Sequence, residues 1–197
     1  MLRRLIGWWQ GVSGRLLAGR AGAFAPPAAV SGLPAVRADT AYLLLALAVP
    51  GFFLFYGLGA FPLRDNNEGL YAGIAREMLA SGQYIVPHLN GVPYIEKPPL
   101  LYWLGALSMA LLGETPAAAR IASAAPMFAL CVGLFHFCRL HGSARAGCLA
   151  AVALSSALPV SLLSHVVLFD PLLTALVGGC LLCYLHSFLR GSRIMTL

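Results

Sequence analysis

The polar segment 64–98 of this chain gathers most of the side chains that are equipped for chemistry. It holds four of the seven carboxylates and the only lysine, namely Asp65, Glu68, Glu77, Glu96 and Lys97. A carboxylate can take a proton from a substrate, and a lysine can stabilise negative charge that develops on a leaving group. A polar loop that simply contacts water explains the same distribution of charge. Charge distribution alone does not separate these two interpretations.

One further carboxylate, Asp170, lies in an otherwise apolar stretch, SHVVLFDPLLTALVGG. A carboxylate at the centre of a membrane helix costs about 2.5–3.5 kcal/mol, and less near the interface. We therefore expect Asp170 to have a cation, a hydrogen-bond partner or a metal ion beside it. Lys97 is one candidate partner.

The elements that position these residues are expected to be membrane helices. Hydrophobic residues make up 59% of the 197 residues and charged residues only 10%, whereas roughly a quarter of a soluble domain is charged. Backbone polar groups that face lipid must pair within a helix. We therefore predict an all-α polytopic membrane domain over residues 41–197, with the apolar segments 41–63, 99–113, 116–138, 146–169 and 171–189.

The arginines predict how these segments are oriented. Residues 1–40 carry five arginines and one acid, Asp39, which is typical of a cytoplasmic basic extension. The arginines at 139–145 and 190–193 favour the same side, so the loop 64–98 and Asp170 are predicted to be extracytoplasmic. Segment 99–113 is too short to span comfortably, at about 22 Å of helix, and is read as a partial insertion. The net charge of +6 therefore belongs to the ends of membrane segments and does not indicate nucleic-acid binding.

Local signals predict the structure within the loop. Asp65, Asn66 or Asn67 can cap a helix over about 68–80, whose apolar positions suggest that it lies along the membrane surface. The Asn90-Gly91 pair predicts a tight turn, and Pro98-Pro99 predicts an abrupt start for the next helix. Plain capping remains the alternative role for Asp65. A pair that anchors the chain at the membrane interface remains the alternative for Glu96 and Lys97.

Four segments are informative when they are considered together: RDNNEGLYAGIAREML, YIVPHLNGVPYIEKPPLLYWL, AAARIASA and LLSHVVLFDPLLT. In combination they resemble the N-terminal part of family 39 glycosyltransferases, over about residues 40–190. These are polyprenyl-phosphate-dependent membrane enzymes with a GT-C-type fold. The likeness is greater to the group that transfers aminoarabinose to lipid A than to the protein O-mannosyltransferases.

The resemblance implies roles for individual residues of this chain. Asp65 matches a catalytic carboxylate that activates the acceptor, while Lys97 and Tyr94 match residues at the donor phosphate. Glu96 and Asp170 match carboxylates that line the same cavity and help to hold a divalent metal ion. The supporting residues expected on the loop helix are Glu68, Tyr71 and Arg76.

The function implied is transfer of a sugar from a polyprenyl phosphate to an extracytoplasmic lipid or protein acceptor, in the bacterial inner membrane. Family members run to several hundred residues, so we expect this chain to be an N-terminal fragment, a truncated reading frame or a separately encoded module. The alternative is a catalytically inactive scaffold or transporter-like segment that binds lipid headgroups. Transporters usually hold ionisable groups near the bilayer midplane. Here these groups gather at one end, which favours lipid-phosphate chemistry.

Overall fold

The computed structural model describes residues 35–63 and 67–190, with side chains from residue 38 onward. Helices and one short hairpin make up this part of the chain. In chain order they are α1 (Ala35–Phe55), α2 (Asn67–Ser81), β1 (His88–Leu89), β2 (Val92–Pro93), α3 (Leu100–Leu112), α4 (Pro116–His141), α5 (Ala144–Ser156), α6 (Leu158–Ser164) and α7 (Phe169–Leu189). The chain divides into two compact units after residue 37. The predicted extension 1–40 lies almost entirely outside the residues whose side chains are described.

Within residues 35–63 and 67–190, three helices are long and apolar enough to cross a membrane: α1 from Ala38, α4 and α7. A fourth crossing is formed if α5 and α6 act together as one bent span. Helix α3 has only 13 residues, which is about 20 Å at 1.5 Å per residue. The prediction of a polytopic helical membrane protein is therefore confirmed, and segment 99–113 is as short as expected.

Several predicted segments have different bounds in the structure. The first was expected over 41–63, but α1 ends at Phe55 and Gly57 then adopts a left-handed φ of 80°. The segment 146–169 was expected to be one helix, but it is broken into α5 and α6, which meet at 63°. Pro159 lies in the first turn of α6, where its missing N–H and its ring interrupt a continuous helix. Helix α7 begins two residues earlier than predicted, so it contains Asp170.

The loop folds largely as its local signals predict. Helix α2 covers 67–81, and the hairpin turns through Asn90 and Gly91, with φ of 54° and 77°. The Glu77 carboxylate accepts hydrogen bonds from the backbone amides of both turn residues, at 2.8 and 2.9 Å. This carboxylate therefore fastens the hairpin to α2. Helix α3 starts directly after Pro99, as expected.

The apolar face of α2 corrects one prediction. It was expected to lie on the membrane surface, but Ile74 and Met78 are buried in a protein core shared with α3 and α4. Leu101 and Tyr102 of α3 are almost fully buried in the same core. The helix is amphipathic as predicted, but protein and not lipid covers its apolar side.

Small residues allow the helices to approach closely. A Cβ added at Gly147 of α5 would lie 2.6 Å from the backbone oxygen of Phe135 in α4. A Cβ at Gly105 of α3 would lie 2.9 Å from the side chain of Ala75 in α2. Packing of this kind stabilises membrane helix pairs, because the hydrophobic effect does not drive helices together within lipid.

We predict that Gly147→Ala destabilises the protein by about 1–3 kcal/mol, because the new methyl group collides with backbone of α4. Gly179→Ala is the matched control, since a Cβ there meets nothing within 4 Å. In an exposed helix position alanine is favoured over glycine by about 1 kcal/mol. Thermal unfolding in detergent should therefore shift down for Gly147→Ala and stay level or rise for Gly179→Ala. Equal midpoints for the two variants would contradict the packing.

Candidate functional site

A buried ion pair between Glu68 of α2 and Arg120 of α4 lies at the centre of the loop end of the protein. Arg120 Nε is 2.7 Å from Glu68 Oε1 and a terminal nitrogen is 3.2 Å from Oε2. The two side chains are only 6% and 3% exposed. This fork-to-fork geometry is the strongest arrangement available to an arginine and a carboxylate. It compensates for the cost of burying both charges.

The same pair holds two other stretches of backbone. Arg120 donates to the carbonyl oxygens of Leu58, Phe61 and Pro62 in the connection after α1. Glu68 accepts a longer bond, 3.4 Å, from the amide of Val167, just before α7. The pair therefore joins the connection that leads toward Asp65, the loop helix, α4 and the segment that leads to Asp170.

An aromatic cluster lies beside this pair. The ring of Phe169 meets the rings of Tyr71 and Tyr102 edge to face, with centroids 5.0 and 5.5 Å apart. The hydroxyl of Tyr102 is buried and has no hydrogen-bond partner among the described residues. Because Phe169 begins α7 and Tyr71 belongs to α2, the start of α7 lies at the same end of the bundle as the loop. The structure therefore brings Asp170 to the loop side.

Tyr94 and Glu96 form a small polar group after the hairpin. The Tyr94 hydroxyl donates to Glu96 Oε2 at 3.0 Å. Partial loss of hydration, followed by the hydrogen bond to this carboxylate, raises the pKa of Tyr94 above its usual 10. The phenol therefore stays protonated at neutral pH and acts as a hydrogen-bond donor. Lys97 follows immediately in the chain and is exposed.

The structure does not join all the predicted site residues. Lys97 and Asp170 are both exposed, and neither forms an ion pair with a described residue. Lys97, one candidate partner of Asp170, thus forms no ion pair with it in this structure. Asp170 instead lies in the first turn of α7, where the positive end of the helix dipole stabilises a carboxylate.

The predictions for Asp65, for Arg76 and for a metal ion have different outcomes. Asp65 lies in the stretch 64–66, outside the described residues, between Leu63 and the start of α2. Arg76 is exposed and pairs with Glu114, away from Glu68 and Tyr71, which are buried. Within 35–63 and 67–190, no three His, Cys, Asp or Glu side chains gather in a way that would hold a metal ion. The described residues thus do not supply a metal centre, and the metal ion stays a prediction.

Arg120 is the central residue that the sequence did not reveal as part of the site. The signal was present, since it is the only charged residue between Pro116 and Cys138. A charged side chain in such an apolar helix must face a partner inside the protein. What could not be read was that its partner is Glu68, 52 positions earlier.

We expect Arg120→Met to destabilise the protein by about 3–5 kcal/mol, because it leaves the Glu68 carboxylate buried without its cation. The double variant Glu68→Met with Arg120→Met removes both charges and should recover part of that loss. Arg139→Met is the control, because Arg139 belongs to an exposed pair with Asp39 at 3.8 Å. Unfolding curves in detergent measure all three. An Arg120→Met protein as stable as Arg139→Met would rule out the central role of the pair.

Comparison with known proteins connects this arrangement to a family. The family model for dolichyl-phosphate-mannose-protein mannosyltransferases matches residues 96–193. The undecaprenyl phosphate-alpha-4-amino-4-deoxy-L-arabinose arabinosyl transferase of Aeromonas hydrophila is 46% identical over 81 residues, which are 40% of this chain and 15% of that protein. The transferase of the same name from Serratia proteamaculans is 35% identical over 124 residues, 62% of this chain and 22% of that protein.

The fold also has solved counterparts. The apo structure of ArnT from Cupriavidus metallidurans matches with a TM-score of 0.68 and 29% identity, over 81% of this chain and 29% of that chain. The structure of the same protein bound to undecaprenyl phosphate matches with a TM-score of 0.67, over 80% of this chain and 28% of that chain. This chain thus spans less than a third of each of these relatives. The agreement of family model, relatives and fold confirms the resemblance to the N-terminal part of family 39-like glycosyltransferases.

Proposed function

We propose that this chain takes part in transferring a sugar from a polyprenyl-phosphate carrier to an extracytoplasmic lipid or protein acceptor. The relatives named above, including one solved with undecaprenyl phosphate, support a carrier of this class. The observation that carries the proposal is the state of Lys97, which is exposed and has no ion pair among the described residues. Beside it, Glu96 is already engaged by the Tyr94 hydroxyl. A phosphate group can therefore bind the Lys97 ammonium without displacing a protein carboxylate that the structure shows.

The chemistry of the transfer suits these side chains. The bond between the anomeric carbon of the sugar and the phosphate oxygen breaks, and its electron pair leaves with the polyprenyl phosphate. A new bond forms between the anomeric carbon and an oxygen of the acceptor. The leaving phosphate gains negative charge, which the Lys97 ammonium stabilises. The Tyr94 phenol has a single O–H, so it donates to a phosphate oxygen only after it releases Glu96.

Asp65 is the proposed partner of the acceptor. If the acceptor is a hydroxyl, the Asp65 carboxylate removes its proton as the new bond forms. If the acceptor is an ionised phosphate, no proton has to be removed and the carboxylate acts by positioning. Two neighbours of Asp65 in sequence, Pro62 and Glu68, are held by Arg120. Arg120 thus anchors described residues on both sides of the stretch that contains Asp65.

The proposed setting is the bacterial inner membrane with a cytoplasmic N-terminus. The arginines at 1–40, 139–145 and 190–193 support this orientation, and the shared position of α2 and the start of α7 is consistent with one active end. With that orientation, the loop and Asp170 face the side on which lipid and protein acceptors are modified.

The first test measures, by thermophoresis, the binding of undecaprenyl phosphate to the purified protein in detergent. We expect Lys97→Ala to weaken binding roughly 10- to 150-fold, because one charge-assisted hydrogen bond contributes about 1.5–3 kcal/mol. Gln83→Ala is the control, since Gln83 is an exposed residue of the same loop. Unchanged binding by Lys97→Ala would assign the lysine to anchoring at the membrane interface. If the unmodified protein does not bind the lipid at all, the scaffold alternative is favoured.

The second test concerns Asp65 and uses a relative whose matching N-terminal part is replaced by this chain. Asp65→Asn should fold normally, because asparagine caps a helix about as well as aspartate, yet it should abolish sugar transfer to a hydroxyl acceptor. Asp65→Ala should in addition cost about 0.5–2 kcal/mol of stability if the residue is also a cap. Transfer of labelled sugar in membranes gives the rate. A folded Asp65→Asn chimera with the parent rate would remove Asp65 from the mechanism.

A further inference from the structure

A cavity separate from the Lys97 region lies between α2 and the start of α4. Its volume is about 420 Å³, within the range of roughly 300–1,000 Å³ that small-molecule sites occupy. One wall is a stripe of α2 made of Gly69, Ala72 and Gly73, which ends in Arg76. Glu114 also lines the cavity. Small side chains along the stripe leave the space open, and the lining includes one arginine and one carboxylate.

Arg76 has unused capacity to bind an anion. Its Nε lies 2.5 Å from Glu114 Oε2, in a pair whose side chains are 69% and 47% exposed. A guanidinium has five N–H donors, and no other hydrogen bond or ion pair of Arg76 occurs with the described residues. An exposed pair of this kind contributes only about 0–1 kcal/mol. An anion with several oxygens can therefore compete with the Glu114 carboxylate.

The other carboxylates of α2 are already committed elsewhere. Glu77 accepts the two amides of the hairpin turn, and Glu68 is held by Arg120. Glu114 is thus the described carboxylate that competes directly for Arg76. Leu63 also lines the cavity, which places the cavity beside the connection that leads to Asp65.

We propose that this cavity binds a phosphate group through Arg76, and that Glu114 is the counter-ion that the phosphate displaces. A phosphate monoester carries more negative charge than a carboxylate at neutral pH and matches the planar fork of a guanidinium. The group can belong to the headgroup of a membrane lipid or to free phosphate. The loop end of the bundle would then hold two phosphate-binding positions, one at Lys97 and one at Arg76.

The test measures binding in the Lys97→Ala protein, so that the proposed donor position does not contribute. The protein is placed in phosphatidylcholine nanodiscs and titrated with dihexanoyl phosphatidic acid in one arm and with inorganic phosphate in the other. Adding Arg76→Gln should weaken binding at least tenfold. Adding Glu114→Gln should strengthen it up to about fivefold, because the competing carboxylate is gone. Arg139→Gln is the matched control, since Arg139 is also a half-exposed arginine paired with a carboxylate.

Tighter binding of phosphatidic acid than of inorganic phosphate would identify a lipid headgroup as the ligand, and equal binding would identify the phosphate group alone. Both results support the site if they depend on Arg76. The proposal is overturned if neither probe binds, if Arg76→Gln loses no more than Arg139→Gln, or if Glu114→Gln weakens binding. None of these results touches the proposed function, because that depends on the effect of Lys97→Ala on undecaprenyl phosphate.

Discussion

The buried pair of Glu68 and Arg120 is the interaction on which the loop end of this protein depends. A charged arginine inside an apolar helix is tolerated only when its donors are satisfied. Here the guanidinium contacts a carboxylate from α2 and three carbonyl oxygens from the connection after α1. The guanidinium has all its hydrogen bonds only when all these segments are in place. The free-energy cost of burying this charge therefore constrains the positions of the segments.

This constraint explains why the candidate functional residues lie where they do. The pair and the aromatic cluster of Tyr71, Tyr102 and Phe169 form a rigid base. The residues with free chemical capacity, Lys97 and Arg76, lie outside this base and are exposed. The buried charges thus serve architecture, and the exposed charges are the ones available to a ligand. The distinction matters for mutagenesis, since loss of function at Glu68 or Arg120 can arise from altered folding alone.

The apolar surface of α7 shows a similar separation between the part of the protein that faces its surroundings and the end that carries the candidate functional residues. Large apolar side chains are exposed along this helix, namely those of Leu173, Leu176, Leu181 and Phe188. Only 6% of the most apolar stretch of the helix is buried. Such a surface is suited to contact with lipid or with other membrane helices. At the start of α7, Pro171 and Leu172 are buried, and Leu172 belongs to the core shared with α2 and α3. Further along, Gly178 lies close to Leu130 of α4. The candidate functional residues are therefore concentrated at one end of an otherwise apolar bundle.

Much of this arrangement was determined by the sequence itself. Composition required membrane helices, Asn90-Gly91 required a left-handed turn, and the spacing in α2 required an amphipathic helix, because each depends on local chemistry or on the solvent. The break at Pro159 was not predicted, because the apolar run around it favoured one continuous helix. What only the tertiary structure decided are the partners: Glu68 with Arg120, Arg76 with Glu114, and His141 with His186, whose ring nitrogens lie 2.9 Å apart across 45 positions. Many pairings satisfy the same composition, and only the packing of the helices against one another selects among them.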